Sequence, residues 1–189
     1  MIERAQPSDA EICRRACEGD GEAFRVIFER HSTAVRRFAG NVLRDDCEAD
    51  EATQETFVRA HARLKKLEDG TRLRGWLLGI ARIVALDALA RRRRDGADGS
   101  SSALPDAIES DLTPEATLLD AEAEKVLFEE VSRLPAERRA ALVLRLDHHL
   151  AYGEIAEAMQ WSLQKVKNEI HRARLQMRER LLRYLRGAR

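Results

Sequence analysis

Gln164, Lys165, Lys167, Asn168, His171 and Arg172 stand within nine residues of one another. Amides, an imidazole and cations are the groups that hydrogen-bond base edges and neutralise phosphates. Successive residues of a helix turn by about 100°. On that geometry Leu163, Val166, Ile170, Ala173 and Met177 share one face, and Gln164, Lys165, Asn168, His171 and Arg172 point away from it, with Lys167 on the flank. From position 163 to the end there are nine basic residues against Glu169 and Glu179. Such a helix is built to lie on a polyanion, with duplex DNA the leading candidate. A second group, Glu51, Gln54 and Glu55 with Val58, falls on one helical face opposite Ala49, Thr53, Phe57, Ala60, Leu64 and Leu67. Carboxylates and an amide beside one apolar side chain suit a basic protein surface. A third is the run Arg91, Arg92, Arg93, Arg94, which can contact phosphate or favour the negative pole of a helix end.

Other reactive residues do not assemble into a catalytic site. His148 and His149 lie at a helix end with no acid–base partner at motif spacing, so a capping or solvent role is expected. Cys13 and Cys17 share a helix face at four-residue spacing and with His31 or Cys47 could hold zinc or sense oxidants; packed thiols are the simpler expectation. The expectation is a binding protein that is not an enzyme, with no cofactor and no metal.

The elements that must position these residues are helices. There is no alternating strand pattern, and an all-α fold is predicted. Ser8 caps a short helix reaching residue 18; others cover about 20–43, 47–67 and 74–94, with a turn at Asp69-Gly70. Phe24, Ile27, Phe28, Val35, Phe38 and Val42 make the stripe of the second. The fourth is apolar almost all round, from Trp76 to Leu89, and belongs at the centre of its domain; Asp87 would need a partner if buried there. Residues 96–113 are rich in Gly, Ser and Asp and read as a flexible acidic linker. Beyond it, Thr113-Pro114 opens a helix to about residue 134, Pro135 opens the next, and residues 152–159 form a short helix. Trp161-Ser162 is a turn, with Ser162 capping the long basic helix to about residue 184. Short helix, tight turn and longer basic helix form a helix-turn-helix. The domains are therefore 1–95 and 114–189.

Composition agrees. The 189 residues carry 33 basic and 33 acidic groups, but not evenly. Residues 1–95 hold 19 basic and 17 acidic groups, residues 96–130 one lysine against ten acids, and residues 131–189 thirteen basic against six acidic. A basic C-terminal third points to a polyanion. No apolar run approaches the roughly 20 residues of a membrane span, and residues 1–10 have no apolar signal core. Three cysteines argue against a disulfide framework. Secreted and membrane-spanning classes are excluded on this reading.

Three blocks resemble a known family: ATQETFVRAHARL at 52–64, LRGWLLGIARIVALDAL at 73–89 and LPAERRAALVLRLDHHLAYGEIAEAMQWSLQKVKNEIHRARLQMRERL at 134–181. In order and spacing they are similar to the bacterial extracytoplasmic-function (ECF) sigma factors of the sigma-70 family, which have only regions two and four. The resemblance spans roughly residues 21–182. It implies a cytoplasmic protein, nucleoid-associated during initiation, that binds core RNA polymerase and promoter DNA, is held by an anti-sigma factor and needs no cofactor. Region two would occupy the first domain and region four the second. The polymerase-docking motif would fall on Glu51, Gln54 and Glu55, beside Val58. Minus-ten strand reading would use the loop and helix from about 65 to 87, with Lys65, Arg72, Arg74, Trp76, Arg82 and Ile83. Minus-thirty-five duplex reading would use Gln164, Lys165, Lys167, Asn168, His171 and Arg172. Three departures stand out: Ile83 replaces a usual Asn and cannot hydrogen-bond a base, Glu51 replaces a usual Asp, and Glu169 replaces a frequent Arg.

Two other readings stay open on the residues alone. One is a sigma-like decoy that only sequesters an anti-sigma protein, which Ile83 and Glu169 would permit. The other is a dimeric helix-turn-helix regulator with an N-terminal sensor domain.

Overall fold

A computed structural model describes residues 7–96 and 129–187, and every regular element among them is helical. The first lobe contains α1 (Asp9–Cys17), α2 (Gly21–Leu43), α3 (Asp46–Arg63) and α4 (Leu73–Arg94), with two short 3₁₀ turns, Leu64–Lys66 and Gly70–Arg72, between the last two. The second contains α5 (Ala136–Leu146), α6 (Tyr152–Met159) and α7 (Leu163–Gly187), preceded by a helical end at 129–132. The predicted start of a helix at Thr113-Pro114 and the linker at 96–113, except Gly96, lie outside the described residues.

The helix starts are set by side chains that satisfy otherwise orphaned amides. Ser8 Oγ accepts from Glu11 N at 3.3 Å, Asp20 Oδ1 from Ala23 N at 3.2 Å and Asp45 Oδ1 from Glu48 N at 2.9 Å. Arg44 adopts the left-handed conformation, φ 62°, at the end of α2 and so reverses the chain into α3. The third helix stops one turn earlier than its periodicity predicts, because residues 64–66 tighten into 3₁₀ geometry.

Ile27, Val35, Phe38 and Val42 of α2 and Ala49, Ala52, Phe57 and Ala60 of α3 are buried, each large apolar side chain contributing about 1.5–3 kcal/mol relative to exposure. Thr53 and Thr56 are buried with them; their hydroxyls donate to Ala49 O and Ala52 O at 2.7 and 2.6 Å, which removes the cost of burying them. The nearly all-round apolar α4 is central, packed on α2, α3 and α6. The Phe28 of the expected stripe turns partly outward instead, 42% exposed, and so does Leu163 on α7. Asp87 is exposed, within 3.5 Å of Arg59, and needs no buried partner.

The two lobes pack on each other through α4 against α6 and α2 against α5, and their apolar cores are continuous. A Cβ at Gly79 would lie 3.3 Å from Ala158 Cα, so these backbones approach closely because position 79 has no side chain. Arg37 and Asn41 of α2 reach Asp147 after α5, and Arg72 reaches Glu157 of α6 at 2.7 Å.

Candidate nucleic-acid interface and docking face

The turn between α6 and α7 is made by Gln160 in left-handed geometry, φ 55°, followed by Trp161 and Ser162. Ser162 Oγ accepts from Lys165 N at 3.2 Å and starts α7. Val166, Ile170 and Ala173 are buried against α5 and α6. That anchors the helix with Gln164, Lys165, Lys167, Asn168, His171 and Arg172 all on the exposed side. Gln164 Nε2 donates to Asn168 Oδ1 at 2.9 Å, and Lys165 Nζ stands 4.1 Å from the Trp161 ring centroid, a cation–π contact. Glu169 faces the shoulder, its side chain 16% exposed. It accepts from Arg138 Nε at 2.7 Å and Arg172 Nη1 at 3.0 Å. The Arg138 hydrogen bond holds its carboxyl below the usual range. Its negative charge is thus neutralised inside the lobe and does not stand among the exposed cations.

On α3, Glu51, Gln54, Glu55 and Val58 are all exposed, Val58 to 65%. Glu55 accepts from Arg59 Nε at 2.7 Å, which holds the guanidinium pKa above its ordinary value. A groove of about 590 Å³ runs between α3 and α4, with Glu48, Glu51, Glu55, Asp87, Arg91 and Arg92 on its walls. Beside Val58 lies an apolar shoulder that periodicity missed. Phe28 meets Phe57 edge-on at 4.8 Å between ring centroids, and Phe24 meets His61 at 4.7 Å. The i,i+4 pair Phe24 and Phe28 was the available signal, but its tilt off the core depends on where α3 sits.

The third set is divided. Lys65, Arg72 and Arg74 are exposed and Trp76 and Ile83 half-buried, while Arg82 is only 8% exposed. Its Nε has no hydrogen-bond partner among the described residues, and burial lowers its pKa against the pull of Glu137 and Asp87. A cavity of about 250 Å³ separates α4 from α6, lined by Trp76, Gly79, Ile83, Glu157 and Gln160. Of the arginine run, Arg92 is structural: its Nε donates to Glu48 Oε1 at 3.1 Å.

His148 does not take the capping or solvent role expected of it. It is 1% exposed, between the lobes, with its ring centroid 5.8 Å from that of Phe38. Burial pushes its pKa down to about 4. Cys13 is buried, with burial raising its thiol to about 11; Cys17 is half-buried and Cys47 exposed. Among the described residues no three His, Cys, Asp or Glu side chains are grouped to hold a metal, and no helix is long and apolar enough to cross a membrane.

Comparison with known proteins adds a family to this geometry. Sigma-70 region 2 matches residues 27–95, and Sigma-70, region 4 matches residues 125–177. The RNA polymerase sigma-H factor of Pseudomonas aeruginosa is 28% identical over 176 residues, covering 89% of this chain and 91% of that protein. The ECF RNA polymerase sigma factor SigE of Mycolicibacterium smegmatis is 30% identical over 184 residues, covering 95% and 71%. Among solved structures, the sigma factor RpoE in complex with the anti-sigma factor NepR from Bartonella quintana shares the fold with a TM-score of 0.68 at 23% identity, covering 84% of this chain and 96% of that one. CnrH, solved in complex with the cytosolic domain of CnrY, does so with a TM-score of 0.66 at 24% identity, covering 93% and 97%.

Proposed function

Because the chain belongs to the ECF sigma factors of the sigma-70 family, we propose that it binds core RNA polymerase through α3 and directs it to promoters through α4 and α7. The observation that carries this is the pairing, in one chain, of an exposed Glu51–Gln54–Glu55–Val58 face on α3 with a helix-turn-helix whose α7 exposes Lys167, Asn168, His171 and Arg172. The α3 face offers carboxylates to a basic partner around a central apolar contact. On α7, Lys165 and Lys167 serve phosphates, while Gln164, Asn168 and Arg172 have the donor geometry for base edges in a major groove. Lys65, Arg72, Arg74 and Trp76, with Ile83 and Arg82 behind them, would hold the unpaired minus-ten strand. Binding splayed bases offsets the few kcal/mol that unstacking each one costs. Ile83 supplies shape and not a hydrogen bond. The role is one of binding without covalent chemistry, carried out in the cytoplasm on the nucleoid.

Residues 1–95 serve as region two, 96–113 as the linker and 114–189 as region four. An anti-sigma factor covering these faces would silence the protein, by analogy with the structural relative solved in complex with the anti-sigma factor NepR. The decoy reading loses ground because the exposed cationic face of α7 has no use in a protein that only sequesters.

The test is a core-polymerase pull-down coupled to transcription in vitro from the protein's own upstream promoter. Reversing Glu51 and Glu55 to Lys is expected to weaken capture of core polymerase at least about tenfold, as like charges replace complementary ones, while circular dichroism stays unchanged because both side chains are exposed. Undiminished capture would remove the docking assignment.

A further inference from the structure

Lys65, Arg72 and Arg74 stand on or beside the two 3₁₀ turns between α3 and α4, and all three are exposed. Turns of this kind are short and their hydrogen bonds are poorly aligned, so their place in the molecule must be held from outside. Leu64 and Leu73 are buried at the two ends of the segment; between them Leu67 and Gly70 are half-buried and the other residues exposed. Asp69 Oδ1 accepts from Thr71 N at 2.9 Å and from Thr71 Oγ1 at 2.6 Å, which closes the second turn on itself. Those bonds fix the shape of the turn and leave its position to its neighbours.

The neighbour is α1. A Cβ at Gly70 would meet Ala10 Cα at 2.7 Å, Cys13 Cβ at 3.2 Å and Ala10 Cβ at 3.4 Å. The backbones of the turn and of α1 therefore touch with no room for one methyl group, and α1 packs on the first turn as well. Glycine is needed here for that approach and not for a left-handed backbone. In its turn α1 is held on α2. Ile12 and Cys13 are buried, and Asp9 Oδ1 accepts from Arg30 Nη1 at 2.6 Å. Arg30 Nη2 also donates to Pro7 O at 3.0 Å, so one guanidinium grips the first residue of α1 and the carbonyl ahead of its cap. His31 Nε2 stands 3.0 Å from Asp9 Oδ2 without the alignment of a hydrogen bond. Asp9 and Arg30 are mostly covered, and their pairing is screened less than the surface pairs Arg14–Glu11 and Arg25–Glu22.

We propose that α1 is the buttress of the strand-reading segment: Asp9, through Arg30, sets where α1 lies on α2, and Gly70 lets the turn seat on Ala10 and Cys13, so that Lys65, Arg72 and Arg74 are held in fixed places beside Trp76. Asp9, Arg30 and Gly70 are positioning residues, and none of them needs to touch nucleic acid. An unpaired strand brings no rigid shape of its own, so cations and an aromatic ring bind it best when the protein has already arranged them. The seating of the turn stands on the packing of this chain, while the DNA strand as what these cations meet rests on the sigma-factor reading. Residues 9–17 lie outside the segments matched to regions 2 and 4, so the buttress is a feature of this chain's own packing.

The experiment has two arms, both on the full chain. In the free protein, amide hydrogen exchange is followed over residues 64–72. Asp9→Ala and Gly70→Ala are each expected to speed it at least about tenfold, the scale of breaking a partly buried ion pair, with the α3 core around Phe57 as well protected as before. Asp9→Glu keeps the carboxylate and should stay near the parent. In the second arm the chain is assembled with core polymerase, and a fluorescent single strand carrying the minus-ten sequence of the protein's own upstream promoter is titrated beside a scrambled strand. The parent is expected to bind the first more tightly. Asp9→Ala and Gly70→Ala should weaken that binding at least about tenfold, the scale of one displaced stacking or charged contact. Capture of core polymerase should stay at the parent level, and Asp9→Glu should keep most of the strand affinity. Capture lost in step with strand binding would show that the substitutions only loosen the lobe and would overturn the buttress. Unchanged exchange over residues 64–72 would overturn it too, as would strand binding that survives faster exchange. A parent that binds neither strand, with the exchange changes present, would remove the minus-ten reading and leave the seating of the turn on α1 standing.

Discussion

Glu169 illustrates how much one side chain's partners decide. An acid in the middle of a DNA-facing helix repels phosphate, yet here it accepts from Arg138 and Arg172 and lies mostly covered. On the proposed reading of α7 its effect on DNA would be indirect, since it draws the exposed Arg172 guanidinium toward itself. Glu169→Gln is expected to act in two opposite ways. It should lower the stability of the second lobe by about 1–2 kcal/mol, because Arg138 is left half-buried beside a neutral amide. It should also raise affinity for duplex DNA several-fold at low salt, because Arg172 is released. Thermal melting and a salt-titrated binding isotherm measure the two effects; weaker duplex binding by a folded variant would mean that Glu169 orients Arg172 for the groove.

At the scale of the element, the helix-turn-helix depends on how α7 begins. Its first turn holds Gln164, Lys165 and Lys167, and Ser162 Oγ accepting from Lys165 N is the side-chain cap that holds this turn. Ser162→Ala should cost about 1 kcal/mol and weaken duplex binding more than it changes the fold, because fraying moves the contact residues themselves. Amide hydrogen exchange over residues 163–166, compared with the α7 core around Ile170, checks this; equal protection in variant and parent would show that the packing of Val166 alone holds the turn. The same scale explains the entry into α4. A Cβ on Gly70 would come within 2.7 Å of Ala10 Cα, so the 3₁₀ turn before α4 sits directly on α1.

For the whole molecule, His148 couples the two lobes to pH. It lies under Phe38, with Asp147, Arg74, Arg37 and His149 as the charged or titratable groups that act on it; the first raises its pKa and the others, with burial as the largest cause, lower it to about 4. The ordinary value is 6.5. Above pH 6.5 neither the folded nor the unfolded state holds the proton and there is no penalty. As pH falls from 6.5 toward 4, the unfolded chain takes up a proton that the folded form refuses, so stability is lost through this window. The full loss, below pH 4, is on the order of 3 kcal/mol. Melting temperatures between pH 7.5 and 5 should therefore fall more steeply for the parent than for His148→Leu, which keeps the apolar contact with Phe38 and removes the titration. Parallel slopes would show that other groups carry the acid sensitivity.

Local chemistry made much of this legible in the chain. Ser8, Asp20 and Ser162 mark helix starts wherever they stand, because a cap acts on amides two or three residues away. The helical period placed Glu51, Gln54 and Glu55 opposite Ala49 and Phe57, and Lys165 and Arg172 opposite Val166 and Ile170, since a helix face is a property of its own residues. The family blocks lie in those same helices. What periodicity could not reach depends on which neighbour arrives. Phe28 and Leu163 have core character but are 42% and 46% exposed, Phe28 meeting α3 only through the edge of Phe57. Arg82 and His148 are polar but buried, because the second lobe lies over α4 and α2. Burial of a side chain is set by the element packed against it. When that element comes from 85 to 110 residues away, nothing in the local pattern records it, and only the assembled tertiary structure decides which cations meet solvent and which are held between the lobes.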